Sequence, residues 1–175
     1  MDSERSDLIE SLRQHRHFLR FTTQDVTDDQ ARERTTVSEL TLGGLIKHVS
    51  ATEAEWARFI VEGPVDGPEI DWDSVDWSNP PPEAAAFMDS HRMTESETLA
   101  GLLADYEEVA ARTDALIESL PDLGATQPLP PAPWFDDGAV RSARRSILHI
   151  IAETAQHSGH ADIIREALDG QKTMG

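Results

Sequence analysis

The sequence predicts an all-α fold, a four-helix bundle with long connecting loops. Three observations predict it. Four segments carry apolar residues at spacings of three and four, none alternates apolar and polar residues as a half-buried strand does, and two Pro-rich stretches separate the later segments. A chain of 175 residues can bury one core without disulfides, so a single domain over residues 1–175 is expected.

The first helix is predicted from about Ser6 to Phe21, where Leu8, Ile9, Leu12, Leu19 and the stem of His15 recur at helical spacing. Thr27, Asp28, Asp29 and Gln30 can cap a short helical turn. Thr35-Thr36-Val37-Ser38 reads as an extended stretch that ends in Ser38, a cap for the second long helix. That helix is predicted over about Leu42 to Val61, with Leu45, His48, Thr52, Trp56 and Phe59 on one stripe, and Gly63-Pro64 stops it. The following GPEIDWDSVDWSNPPP lacks a helical period and reads as a long loop anchored by Trp72 and Trp77.

A turn or two of helix fits Glu83 to Met88, and Thr94-Glu95-Ser96-Glu97 carries a capping pattern ahead of the third long helix. Leu99, Leu102, Leu103, Tyr106, Val109 and Leu116 form its stripe, and it ends near Leu120-Pro121. QPLPPAPWFDDG, with Trp134, makes a second Pro-rich connection. The last helix then runs from Ser142 to about Leu168 and closes at Gly170.

Composition narrows the function. Hydrophobic residues are 38% and charged residues 27%, the balance of a globular chain, and no segment reaches the roughly 20 continuous apolar residues of a membrane helix. The polar N-terminal MDSERSDLIESLRQHR has no secretory pattern, so a cytoplasmic location is expected. A net charge of -18, from 15 Lys and Arg against 33 Asp and Glu, repels phosphate backbones and argues against nucleic acid as a partner. With no cysteine, a metal site must use His, Asp or Glu, and any thiolate nucleophile must come from outside the chain.

The last helix places His149, Glu153, His157 and His160 at successive spacings of four, four and three, within about an 80° arc. Glu153 and His157, one turn apart, can present a carboxylate oxygen and an imidazole nitrogen to one ion. A third ligand must come from another helix, and His48, inside an apolar stripe, is the best placed. The plainer alternatives are a hydrogen-bonded core histidine at 48 and a helix-surface pair at 153 and 157. His149 and His160 could hydrogen-bond a ligand, contact substrate, or lie on the surface. His15, His17 and His91 have no comparable constellation and are expected to be solvated or capping.

TLGGLIKHVSATEAEW and ILHIIAETAQHSGHADIIREALDG resemble the DinB/YfiT-like metalloprotein superfamily, nearest to an actinobacterial-type branch. The resemblance implies a bundle that holds one divalent ion with a histidine from the second helix and two residues one turn apart on the last. Those positions fall on His48, Glu153 and His157. Where the commonest pattern has three histidines, the Glu-x-x-x-His form is similar to the mycothiol-dependent maleylpyruvate isomerase branch, and Gly159-His160 stands where many members carry Gly-Gln. Bundles of this superfamily often pair, which makes a homodimer an expectation too.

Two imidazoles and a carboxylate suit zinc, with nickel or iron(II) as alternatives, and leave positions open for water or substrate. The site and the resemblance together imply an enzyme of the thiol S-transferase or isomerase kind, acting on a small molecule with a low-molecular-weight thiol. Two other readings stand beside it. One is hydrolysis by bound hydroxide with His160 or His149 relaying protons, and the other a metal-stabilised binding or stress-response protein without turnover.

Overall fold

The computed structural model describes residues 2–65, 74–130 and 135–173. Trp72 and Trp134, two of the expected loop anchors, lie outside the described residues. The chain runs α1 (Ser3–Phe21), α2 (Asp28–Arg32), α3 (Leu42–Glu62), α4 (Pro82–Asp89), α5 (Leu99–Ser119), β1 (Thr126–Pro128), β2 (Val140–Ser142) and α6 (Ala143–Asp169).

Local chemistry sets the ends of these helices. Asp2 caps α1 by accepting from the Arg5 amide at 2.9 Å, so the helix begins at Ser3, three residues ahead of the expected start. Thr27 and Gln30 cap α2 reciprocally, side chain to backbone in both directions. The cap of α3 is Thr41 rather than Ser38: the Thr41 hydroxyl accepts from the Gly44 amide at 3.1 Å, whereas Ser38 accepts from Leu40, only two residues on. Gly63, at φ 78°, ends α3, and Gly170, at φ 81°, ends α6 in the left-handed conformation a side chain would strain.

α5 starts one turn later than its capping pattern suggests. Thr98 is the cap, and Glu97 turns back to accept from the amide and hydroxyl of Thr94 at 2.7 and 2.9 Å. Trp77 is 49% exposed, so it does not anchor its loop in the core.

The four long helices α1, α3, α5 and α6 pack pairwise: α1 on α6, α3 on both α5 and α6, and α1 on α5. Their apolar stripes close two clusters. One gathers Leu19, Leu45, Val49, Leu102, Tyr106 and Ile164, the other Leu8, Leu12, Ile60, Ile117, Ile147 and Ile150.

Between the clusters each helix contributes buried polar groups: Arg16, Glu53, Thr113, Thr154 and Ser158. Arg16 donates to both Glu53 oxygens at 3.0 and 2.5 Å and to Asp114 at 2.8 Å. The hydroxyls of Thr113, Thr154 and Ser158 return to carbonyls one turn back. A fully buried carboxylate is tolerable only because the guanidinium answers both of its oxygens.

The sequence shows no strand pattern, yet β1 and β2 form a short antiparallel ladder that sets Gln127 opposite Arg141. Backbone bonds, not side-chain alternation, make this ladder, so three-residue strands leave no periodicity to read. The Gln127 amide donates to the carbonyls of Ile60 and Val61, both at 3.3 Å, and so ties the ladder to the end of α3. β2 runs straight into α6, whose cap is Ser142. Among the described residues no helix is long and apolar enough to cross a membrane.

Candidate metal centre

α3 and α6 run antiparallel along one seam. His48 meets His157 at 4.9 Å between ring centres, and Trp56, two turns further along α3, meets His149, two turns earlier on α6, also at 4.9 Å. Glu153 sits midway. The seam thus aligns the histidine ladder of α6 with the half-buried stripe of α3.

One ligand atom from each of His48, Glu153 and His157 lies within 4.8 Å of the other two. Zinc held tetrahedrally keeps nitrogen and oxygen ligands roughly 3.3–3.5 Å apart, by its bond lengths of about 2.0–2.1 Å, so modest side-chain adjustment would close the three around an ion. The sequence thus named the three residues that the fold brings together.

The electrostatics favour the ligating form of the histidines. Burial, with His91 and His157 close by, pushes His48 down to about 4 against the opposing pull of Glu153. Burial lowers His157 as well, again against Glu153. Both rings are therefore neutral near pH 7, the state in which an imidazole lone pair can bind a cation.

The flanking histidines lie beside the candidate ligands. His157 Nε2 lies 3.5 Å from one Glu153 oxygen and His149 Nε2 3.7 Å from the other. His160 Nδ1 is 3.3 Å from His157 Nδ1, the other nitrogen of that ring. A hydrogen bond there holds the His157 ring with Nε2 facing the carboxylate.

His91 was expected to be solvated, and the structure places it instead against the site. Its ring stacks on His48 at 4.3 Å and 25°, with the Ser90 hydroxyl 2.9 Å from its Nδ1. Gly44 permits this: a Cβ there would stand 2.3 Å from the His91 carbonyl oxygen, and one on Gly43 would stand 2.5 Å from Met93 Sδ. The Gly-Gly pair was the one available signal, since it marks a close approach without saying by what. His15 and His17 stay away from the seam and group with Phe18 and Phe21 on α1.

The far end of the seam holds a second unforeseen residue. The Arg141 guanidinium lies 4.4 Å from the Trp56 ring centre and 5.7 Å from that of Phe135. No sequence motif announces it, because its position depends on the β-ladder.

Among solved structures, a conserved protein from Enterococcus faecalis has the same fold: TM-score 0.67, 15% identity, 98% of this chain and 99% of that one covered. No curated protein matches the sequence. Residues 7–170 match the family model described as Mycothiol-S-transferase, and the chain therefore belongs to that family, one of the DinB/YfiT-like kind.

Proposed function

We propose that this protein is a metal-dependent thiol S-transferase built on a DinB-type four-helix bundle. His48, Glu153 and His157 are its ligands and mycothiol or a related low-molecular-weight thiol its co-substrate. The observation that carries the reading is the convergence of those three donors, within 4.8 Å, in a chain of the Mycothiol-S-transferase family. The donor set fits a divalent ion: two neutral imidazoles and one carboxylate leave coordination positions open, as in catalytic rather than structural sites. Zinc suits these donors best, with nickel and iron(II) next.

An ion held there would supply Lewis acidity, lowering the pKa of a thiol that reaches it. The chain's own groups do the rest. His48 and His157 present neutral nitrogens, Glu153 offsets the cation's charge, and His149 and His160 hold their neighbours in orientation. With no cysteine of its own, the protein acts as the scaffold on which an external thiol meets an electrophile.

The test is conjugation by stripped and zinc-reconstituted protein. Mycothiol, bacillithiol or glutathione should be coupled to a model electrophile at a rate that falls to background on chelation. No metal-dependent turnover with any of the three contradicts the reading.

A further inference from the structure

Arg141 is anomalous in so acidic a chain. Carboxylates outnumber basic side chains by 33 to 15, and Arg5, Arg13, Arg16, Arg20, Arg144 and Arg165 all have carboxylate partners. Arg141 has none among the described residues, its side chain makes no hydrogen bond to them, and its Nη1 is buried without a partner. An unanswered charged donor in a covered position is costly, and stacking on Trp56 offsets only part of that cost. Burial, and after it the like charge of Arg145 one turn on, disfavour the positive charge of Arg141. The fold has thus made a half-buried electropositive spot whose charge no described carboxylate answers.

Its placement gives that spot a use. The β2 register sets Arg141 over Trp56, whose ring meets His149 at 4.9 Å, and His149 in turn lies 3.7 Å from Glu153. Trp56 and His149 are each eight residues from the pair His48 and His157, so the ring on which Arg141 stacks stands about 12 Å along the seam from those two histidines by helical rise. A ligand whose reacting end lies at His48 and His157 would pass the flat face of Trp56 before its far end reached the guanidinium.

We propose that Arg141, stacked on Trp56, is a carboxylate-binding subsite of the candidate metal centre, which selects small substrates bearing an anionic group some two helical turns from the reacting atom. The substrate class is therefore an acid whose carboxylate the guanidinium takes bidentately, with the intervening chain lying on Trp56. The placement of the reacting end rests on the metal-site reading; the anion preference of Arg141 does not.

Calorimetric binding of a matched pair tests this. Mercaptooctanoate carries a thiol and a carboxylate at opposite ends of an extended chain, and mercaptooctanol replaces the carboxylate by an alcohol. On zinc-loaded protein the acid should bind about tenfold or more tighter than the alcohol. Arg141→Gln should bring the ratio near one, and Arg141→Lys should keep part of it. Circular dichroism and bound zinc should be unchanged in both variants.

The same pair on metal-free protein separates the two ideas. Loss of zinc should weaken both ligands while the acid-to-alcohol ratio stays sensitive to Arg141. If zinc makes no difference but Arg141→Gln still erases the preference, the metal-site reading fails and the subsite stands. A ratio near one in wild type, or a ratio unchanged by Arg141→Gln, overturns the subsite.

Discussion

The ring of His91 lies flat on the ring of His48, 4.3 Å away, and the carbonyl of the same His91 lies where a side chain on Gly44 would have to go. One loop residue is thus fixed at two points on α3, one turn apart, and covers the histidine nearest the seam.

His91→Ala should therefore weaken zinc binding by about tenfold through loss of orientation at His48, as outer contacts of metal ligands commonly do. Gly44→Ala should act on the same contact from the backbone side, with a destabilisation of roughly 1–3 kcal/mol from overpacking. Competition with a chromophoric chelator and urea unfolding measure the two effects. A His91→Ala protein with wild-type zinc affinity would show that the stacked ring is only packing.

Much of this architecture was legible in the sequence, and the illegible parts share a cause. The helices were visible because apolar periodicity and caps such as Thr27 and Gly170 are local signals. Glu153 and His157 were visible because one turn of helix makes them neighbours, and His48 because it interrupts an apolar stripe. His91 and Arg141 were hidden because loop and ladder contacts place them, not a helical period. Nothing local marks Glu53 as buried, because its partner Arg16 comes from α1.

That buried pair predicts a stability effect remote from the metal centre. Glu53→Ala leaves Arg16 as a buried cation with Asp114 as its remaining partner, and should cost about 3–5 kcal/mol. Replacing both residues by methionine should recover most of the loss, since the two apolar clusters then become continuous. Chemical denaturation of the single and double variants measures this. A single variant as stable as the parent contradicts the role given to the pair.

The lowered histidines predict the pH dependence of the metal-free protein. His48 titrates at about 4 when folded and near 6.5 when unfolded, so between those values the unfolded chain binds more protons. Stability must then fall as pH drops from 6.5 towards 4, with His149 and His157, lowered for the same reason, adding to the slope. Thermal melts of metal-free protein across this window should be steeper for wild type than for His48→Gln. Equal slopes would mean that His48 is not held neutral by its surroundings.

The central claim is that α3 and α6 together form one metal site. Elemental analysis of protein purified without chelators tests it most directly, with circular dichroism confirming the fold of each variant. The wild type and His17→Ala should carry close to one equivalent of divalent metal, whereas His48→Ala and His157→Ala should carry almost none. Full occupancy in a folded His48→Ala protein would contradict the two-helix site.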